Sequence, residues 1–418
     1  MTEFVKTFRD SVPYLQAHQG ACCVVGIDGA ALASGMGEIA HDLLLMQALG
    51  MRLVVVLGAR PQIQSALDQA GIKNETHNGL RITTTAAQQV VNAAVGELRV
   101  EFEAALSKGL PESPYQHRQV PVVSGNFVIA QPMGVRDGVD FQHTGEVRRV
   151  EVAGIRQQLD LGAIVLLPCL GSSPSGEIFN LGADELAAAT AEQLQADKLA
   201  WLGPIEAQPA WPQVLTPAQA ADTEDRLQAL LAAAAKTVAR VHRLDSAIDG
   251  ALLKEFYTRD GAGLLITDGG YDVQRSASAD DIGGVLGLIS PLEEQGVLVP
   301  RSREQLELEI ERFQILERDG LVVACAALYP IAGSEAGELA CLAVHEGYRQ
   351  RRLAKVLLRS VENLARAQGL TDLFVLTTHT AHWFKEQGFE PTKPERLPGA
   401  RQAFYNNQRN SQVLVKAL

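Results

Sequence analysis

Short apolar runs that alternate with helical segments are the feature of this chain that most limits its fold. Each run is flanked by glycine or proline and predicts a strand, at residues 22–25, 53–57, 120–123 and 163–167. Between them, residues 37–49 and 61–70 carry apolar side chains at helical spacing, and Pro61 suits a first helical turn. Strands that alternate with helices form a mainly parallel sheet covered by helices. We therefore predict an α/β fold for the first half of the chain.

The length and the charge of the chain restrict its class. At roughly 100–200 residues per domain, 418 residues make two or three domains. Hydrophobic residues make up 46% and charged residues 21%, close to the average for globular proteins. The 37 Lys and Arg residues against 49 Asp and Glu residues give a net charge of −12, without any basic block. We therefore expect neither nucleic acid nor an anionic membrane as a partner.

The sequence predicts neither export nor a metal site. No apolar run approaches the roughly 18 residues of a membrane span, and residues 1–4 begin neither a signal nor a transit peptide. The five cysteines are odd in number and lack metal-ligand spacing, so we expect reduced packing residues at Cys22, Cys23, Cys169, Cys325 and Cys341. A cytoplasmic protein without a metal is the resulting expectation.

A second change of pattern marks a domain boundary. Residues 267–272 are polar, contain glycine and are of the kind that joins domains. We predict a first domain at 1–268, a linker at 269–272 and a second domain at 273–418. Before the boundary, the alanine-rich residues 222–241 predict a helix, because alanine is the best helix former. After it, we predict strands at 273–276, 313–317, 321–328, 338–344 and 373–378, and helices at 280–290, 301–311, 353–368 and 381–387.

The loop after strand 338–344 carries basic residues and leads into a helix that begins near Leu353. This arrangement directs backbone N–H groups and the positive end of a helix at an anion, typically a pyrophosphate. With the order of the elements, it resembles the GNAT acetyltransferases, whose motif Arg/Gln-x-x-Gly-x-Gly/Ala binds acetyl-coenzyme A. Residues 349–354 align with that motif, with Arg352 where a glycine normally lets the backbone approach the phosphates. The resemblance implies an α+β domain that contacts acetyl-coenzyme A through Cys341, Leu342, Ala343, Val344, Arg349, Arg352, Leu353 and Ala354.

Longer blocks are similar to the bacterial N-acetylglutamate synthase family. They comprise residues 124–140, 143–149, 296–306, 338–344, 376–384 and 405–411, and the resemblance covers essentially the whole chain. It implies an enzyme that moves the acetyl group of acetyl-coenzyme A to the amino group of L-glutamate, the first step of arginine biosynthesis.

The resemblance also implies how the transfer would proceed. Glu338 matches the general base that removes a proton from the α-ammonium of glutamate, without which the nitrogen cannot attack the thioester. A backbone N–H in the stretch from Cys341 to Val344 would stabilise the tetrahedral oxyanion. An acyl-enzyme on the Cys341 thiol is the less favoured route, because transfer in this family is direct.

Further residues match positions that hold the substrate or protonate the leaving group. Guanidinium groups bind carboxylates in bidentate geometry, and Arg301 and Arg409, with Ser411, match the family's substrate-binding positions. The departing thiolate needs a proton or a positive neighbour, and the candidates are His382 and Tyr405.

Residues 1–268 resemble the amino acid kinase fold, a three-layer α/β/α domain best known from acetylglutamate kinase. A kinase of this family neutralises the phosphates of ATP with a lysine on its first loop, where this chain has Gly26. Asn180, Asp184 and Ala187 do keep the family spacing. With no cation for the transferring phosphoryl group, we expect a binding function rather than a kinase.

In this family the binding function is sensing of L-arginine, the end product of the pathway. His242, Glu255, Gly261 and Gly263 match the arginine-site signature, with Leu264 where threonine is usual. A carboxylate suits the guanidinium of the ligand, and backbone amides at the glycines suit its carboxylate. Residues 4–18 predict an amphipathic helix, which in arginine-sensitive relatives interlaces subunits into hexamers. The resemblance thus implies L-arginine as an effector and a homo-oligomer, a hexamer.

Two alternatives remain open from the sequence. One is an arginine-binding regulatory protein whose transferase half has decayed, which Arg352, Pro300 and Leu264 would favour. The other is acetylglutamate kinase, which the missing lysine disfavours.

Overall fold

The computed structural model describes residues 3–109, 120–205, 213–268, 272–318, 320–351, 353–402 and 411–418. Contacts divide the chain into two compact units, Met1–Gly270 and Tyr271–Leu418. Each unit is an α/β structure with its own sheet and its own cores.

The first unit alternates strands with helices. Its strands are β1 (Cys22–Ile27), β2 (Arg52–Leu57), β3 (Glu75–His77), β4 (Leu80–Ile82), β5 (Val122–Val123), β6 (Val128–Pro132), β7 (Val135–Arg136), β8 (Val139–Asp140), β9 (Gly145–Val150), β10 (Ile164–Pro168), β11 (Leu170–Ser172), β12 (Ile178–Asn180), β13 (Lys198–Gly203), β14 (Gln213–Leu215), β15 (Arg240–Asp245) and β16 (Leu264–Ile266). Its helices are α1 (Glu3–His18), α2 (Gly29–Ala48), α3 (Arg60–Gln69), α4 (Thr85–Ser107), α5 (Val152–Asp160), α6 (Ala183–Leu194), α7 (Pro217–Ala221), α8 (Arg226–Ala234) and α9 (Ala251–Tyr257).

A mainly parallel sheet lies at the centre of this unit. Within the described ranges, eight strands follow the order β14-β16-β15-β13-β1-β2-β10-β5, and only β15 and β16 pair antiparallel. Side chains of β1 alternate between two apolar cores, with Val25 and Ile27 in one and Val24 in the other. Helices α2, α3, α4 and α9 cover the first face, and α5, α6 and α8 cover the second. The predicted three-layer α/β/α architecture is therefore confirmed.

Two predictions about local structure have different outcomes here. The four strands predicted in the first half coincide with β1, β2, β5 and β10 to within a few residues. The helix predicted over 222–241 is wrong in extent, because α8 ends at Ala234 and β15 begins at Arg240. Pairing of β15 between β13 and β16 outweighs the helix propensity of the preceding alanines, which acts only locally.

The second unit is built on one mixed sheet. Its strands are β17 (Asp272–Ser276), β18 (Phe313–Arg318), β19 (Leu321–Pro330), β20 (Ala336–Val344), β21 (Asp372–Thr377), β22 (Glu390–Thr392) and β23 (Gln412–Ala417). Its helices are α10 (Ile282–Glu294), α11 (Arg303–Glu309), α12 (Leu353–Ala367), α13 (Ala381–Glu386) and α14 (Gly399–Gln402). The sheet order is β17-β18-β19-β20-β21-β23-β22. Helices α10 and α11 pack on one face and α12 on the other, so the predicted α+β domain is confirmed.

Candidate active site

A cleft opens in the second unit where β20 and β21 separate. These strands pair in parallel from Ala336 with Asp372 to Leu339 with Val375, and no further pair follows between them in the described residues. The continuation of β20 and the end of β21 line a cavity of about 530 Å³, whose walls also include Leu298, Trp383 and Phe384. A mainly apolar cleft between two diverging strands suits a long, thin ligand.

An irregularity in β20 causes the separation. The pairing of β19 with β20 shifts register between Cys325 and Ala327, and Cys341 opposite them has a positive φ of 53°. Such a bulge bends the strand and leaves one residue outside the regular ladder. Cys341, Leu342, Ala343 and Val344 all line the cleft, as the sequence predicts.

The Cys341 thiol is buried and held in its protonated form. Burial raises its pKa to about 12, and the negative charges of Glu293, Glu309 and Glu338 act in the same direction. Because the thiolate is the nucleophilic form of cysteine, a thiol with this pKa is a poor nucleophile near neutral pH. The backbone of the bulge is thus better placed for chemistry than the side chain.

Glu338 lies at the start of the same strand and forms an ion pair with Arg401 of α14. The Arg401 Nε–H donates to Oε2 of Glu338, and Nη2–H donates to Oε1 at 3.1 Å. The two side chains are only 14% and 24% exposed. Hydrogen bonding to Glu338 raises the pKa of Arg401 above its ordinary value. Nothing in the sequence predicts this pair, since its members are 63 residues apart.

Arg301 approaches the same region from the segment before α11. Its backbone N–H donates to Glu293 Oε1 at 3.1 Å, and its guanidinium lies 5.8 Å from the ring centroid of Tyr329. Tyr329 pairs with Glu338 across β19 and β20, and its hydroxyl donates to Glu309 Oε2 at 2.7 Å. The Arg301 Nε–H is buried and finds no hydrogen-bond partner among the described residues. A second guanidinium thus lies near the proposed base with an unused donor.

The structure places His379, rather than His382, in the cleft. His379 and Thr380 line the cavity, where the Thr377 hydroxyl accepts hydrogen bonds from both of their backbone N–H groups. The His382 side chain is 89% exposed and lies 3.2 Å from Glu386 on the outer face of α13. Helical periodicity explains the error, because Trp383 and Phe384 occupy the inward face of this short helix. The proton-donor role predicted for His382 is therefore not supported by its position.

The predicted anion loop follows β20. Arg349 and Ala354 line the cleft, and Leu353 begins α12 with its side chain in the core. Ser411 immediately precedes β23, whose first residue Gln412 pairs with Thr377 at the cleft end of β21. The predicted residues Arg352, Tyr405 and Arg409 lie outside the described residues, as does most of the predicted linker.

In the first unit, the predicted arginine-site residues form a buried cluster. His242 Nδ1–H donates to Glu255 Oε1 at 2.6 Å, and Glu255 Oε2 accepts from the backbone N–H groups of Ala262 at 2.6 Å and Gly263 at 3.0 Å. Burial lowers the pKa of His242, so the imidazole is neutral. Burial alone would raise the pKa of Glu255, but these hydrogen bonds lower it below its ordinary value.

The hydrogen bonds within this cluster differ from the contacts that the sequence predicts with an arginine ligand. The Glu255 carboxylate and the Gly263 amide, expected to bind the two ends of arginine, bind each other in this structure. Gly261 has φ +67°, and a Cβ there would lie 2.5 Å from Glu255 Oε2. The buried Nε2 atom of His242 has no hydrogen-bond partner in the described part of the chain. The four predicted residues come together, and the position open to a ligand donor is Nε2.

At position 26, where the kinase family has its lysine, the space beside the glycine is occupied by the Trp201 ring. A Cβ on Gly26 would lie 2.5 Å from the ring of Trp201, which is buried beside β1. A longer side chain at position 26 has no room without displacing the indole.

The described residues contain neither a metal-ligand group nor a helix that could span a membrane. No three His, Cys, Asp or Glu side chains come together as a metal-ligand group in those residues. None of the described helices has both the length and the apolar character needed to cross a membrane.

Comparison with known proteins matches both units. Residues 21–203 match the amino acid kinase family, and residues 288–389 match the GNAT acetyltransferase family. The chain is 50% identical over 432 residues to amino-acid acetyltransferases of Pseudomonas syringae pv. syringae and Azotobacter vinelandii, with 100% of each chain covered.

Two solved structures are also similar over the full length. Both are N-acetylglutamate synthase from Neisseria gonorrhoeae and cover 100% of this chain and 99% of their own. The complex with coenzyme A and L-arginine has 37% identity and a TM-score of 0.84. The complex with coenzyme A and N-acetyl-glutamate has 38% identity and a TM-score of 0.61.

Proposed function

Since this chain belongs to the amino-acid acetyltransferase family, we propose that it transfers the acetyl group of acetyl-coenzyme A to the α-amino group of L-glutamate. The products are N-acetyl-L-glutamate and coenzyme A. The observation that carries the proposal is the Glu338–Arg401 ion pair beside the cleft between β20 and β21, with the Arg301 guanidinium as an electrostatic neighbour of Arg401. A carboxylate beside two guanidinium groups suits a substrate with one ammonium and two carboxylate groups.

The cleft would hold acetyl-coenzyme A along the end of β20. Its apolar walls suit the pantetheine chain, whereas Arg349 and the first turn of α12 suit the pyrophosphate. The relative crystallised with coenzyme A has the same fold over its full length, which supports this placement.

The acetyl group would pass directly from the thioester to the amine, without an acyl-enzyme. Glu338 accepts a proton from the α-ammonium, and the nitrogen then attacks the acetyl carbon. A backbone N–H of the bulge at Cys341 stabilises the oxyanion until the carbon–sulfur bond breaks. As the thiolate leaves, the attached nitrogen gives up its second proton and the coenzyme A thiolate takes up a proton. His379 is the imidazole that lines the cleft and would carry the proton between them.

Release of coenzyme A thiol in the presence of glutamate tests this function. Glu338→Gln keeps the size of the side chain but cannot take a proton, so we expect a loss of about 10²–10⁴-fold in kcat. Glu335→Gln, which changes an exposed carboxylate three residues away, is the matched control and should retain the wild-type rate. Equal rates in the two variants would show that Glu338 is not the base.

L-Arginine is the proposed inhibitor. The buried His242–Glu255 cluster offers an unused imidazole nitrogen, and a full-length relative has been crystallised with L-arginine. Titration calorimetry should detect L-arginine binding to the wild type, and arginine should lower the rate of glutamate-dependent coenzyme A release. Absence of both effects would refute the regulatory proposal.

The proposed setting is a cytoplasmic homo-oligomer, a hexamer by resemblance. Helix α1 carries Phe8 with 55% of its surface exposed, which is compatible with a contact between subunits. Analytical ultracentrifugation should give the mass of six chains, and a monomeric mass would contradict this assembly.

A further inference from the structure

The proposed base is held by Arg401 in this structure. Both oxygens of the Glu338 carboxylate accept hydrogen bonds from the Arg401 guanidinium, one from Nε and one from Nη2. This is the bidentate geometry in which arginine binds carboxylates most strongly. A carboxylate held in this way offers an incoming ammonium group only the lone pairs that do not face Arg401, and release of an oxygen exposes the others.

A second guanidinium makes release by an anion feasible. The positive charge of Arg301 acts to lower the pKa of Arg401, against the larger opposite effect of Glu338, so the two guanidinium groups are electrostatic neighbours. Arg401 is paired with Glu338, whereas the Arg301 Nε–H has no hydrogen-bond partner in the described ranges. A second carboxylate would be attracted by both cations and would compete with Glu338 for Arg401.

The position of Arg401 suits such an exchange. Glu338 belongs to β20 in the middle of the sheet, whereas Arg401 belongs to α14, a helix of four residues. A change in the Arg401 side chain therefore leaves the sheet and the base itself in place.

We propose that Arg401 is a latch on Glu338 that a carboxylate opens: a carboxylate of the incoming amino acid takes over the guanidinium and leaves the base free. The inference rests on the proposed function, and it deepens that function by tying base release to the charge of the substrate. Arg401 is a positioning residue in this scheme, because it acts on the proton transfer through Glu338.

The latch can be tested with a compound that has the carboxylates of glutamate but no amino group. Glutarate has the two carboxylates of glutamate but no amine, so it should open the latch and leave water as the acceptor. Water gives a proton to Glu338 as its oxygen bonds to the acetyl carbon, and the carbon–sulfur bond breaks. The products are acetic acid, which ionises, and the coenzyme A thiolate, which is protonated to the thiol.

We therefore expect glutarate to stimulate acetyl-coenzyme A hydrolysis by the full-length wild-type protein. The expected increase is at least about tenfold, a fraction of what a general base supplies. Glutaramide has the same length without charge and should have no effect. Glu338→Gln should show no stimulation by glutarate.

Variants at position 401 provide the second measurement. Arg401→Gln should hydrolyse acetyl-coenzyme A faster than the wild type without any additive, and glutarate should not increase that rate further. Arg401→Lys keeps the charge but not the bidentate fork, so part of the glutarate response should return. Arg396→Gln, an exposed arginine five residues away, is the matched control and should behave as the wild type.

The outcomes separate the latch from the proposed function. A wild type that acetylates glutamate but ignores glutarate overturns the latch alone. A wild type that hydrolyses acetyl-coenzyme A in response to glutarate, yet never acetylates glutamate, supports the latch and overturns the proposed function. Equal basal hydrolysis in Arg401→Gln and Arg396→Gln also overturns the latch.

Discussion

At the scale of single residues, Cys341 shows how one side chain can lie at a reaction centre without reacting. Its thiol is buried among the residues that pack α10 and α11 on the sheet, and burial raises its pKa to about 12. Its backbone forms the bulge that opens the cleft. The backbone is therefore the part of Cys341 to which we assign a role in the transfer.

Cys341→Ala tests that assignment. Because the chemistry needs only the backbone, we expect glutamate-dependent coenzyme A release to fall by less than about tenfold, well short of the loss of a general base. Mass spectrometry of acid-quenched wild-type enzyme should find no acetyl group on Cys341. An acetylated Cys341 peptide, with a rate in the alanine variant as low as that of Glu338→Gln, would establish a covalent route instead.

Sequence motifs identify the residues of the cleft that lie within one local block. Cys341 to Val344, Arg349 and Ala354 all line it, because a strand, a loop and a helix start are contiguous in the chain. Arg401 has no comparable signal, since an ion pair over 63 residues depends on the tertiary fold. The motif indicates His382 and gives no signal for His379, because the sequence does not show which face of a six-residue helix is turned inward.

At the scale of elements, the N-terminal helix α1 is attached through a buried histidine. His18 lies at the end of α1, with its ring 5.7 Å from Phe256 and 5.8 Å from Tyr257 of α9. Burial lowers the pKa of His18 from 6.5 to about 4, and the charges of Lys198, His242 and Arg240 act in the same direction. Docking of α1 therefore requires the neutral imidazole.

This attachment predicts a loss of local stability in acid. The unfolded helix binds a proton below a pKa of 6.5, whereas the folded one binds it only near 4, so the stabilisation present above 6.5 decreases as the pH falls towards 4. Between pH 7 and pH 5 the loss should be about 1–2 kcal/mol. Hydrogen exchange of residues 3–18 should show it in the wild type but not in His18→Gln. An equal change in both proteins would exclude His18 as the cause.

The turn after α9 depends on Gly261, which has a positive φ and leaves room for the Glu255 carboxylate. Gly261→Ala would introduce an alanine at positive φ and move the Glu255 carboxylate, whereas Gly250→Ala has a similar φ and open space. Both should lose about 1–2 kcal/mol of stability from the backbone conformation. Only Gly261→Ala should also abolish the arginine effect. Normal arginine inhibition in that variant would separate Glu255 from the effector site.

Local patterns predict most elements, and long-range pairing accounts for the exceptions. The alternating apolar runs locate the strands on which both sheets are built, because each strand is buried on one or both faces. They do not reveal the end of α8 or the strand β15, where an alanine-rich segment turns back to pair with β13. Edge strands such as β22 are likewise too short to give a pattern.

At the scale of the whole molecule, the arginines proposed to bind anions are local cationic groups on a chain with a net negative charge. The net charge is −12, yet the groups proposed to bind anions are Arg301, Arg349 and Arg401 in one unit. Such local cationic sites on an acidic background favour small anionic ligands over nucleic acid, for which a continuous basic surface is needed. The membership in the amino-acid acetyltransferase family fits this charge distribution.

The fate of the acetyl group tests the central claim most directly. The full-length protein is incubated with acetyl-coenzyme A labelled with ¹³C in the acetyl carbonyl and with ¹⁵N-labelled L-glutamate, and the products are analysed by NMR. We predict a ¹³C–¹⁵N coupled amide, formed by the wild type and by Glu335→Gln but not at a comparable rate by Glu338→Gln. Labelled acetate as the only product, or labelled acetyl-coenzyme A left unchanged, would contradict the account.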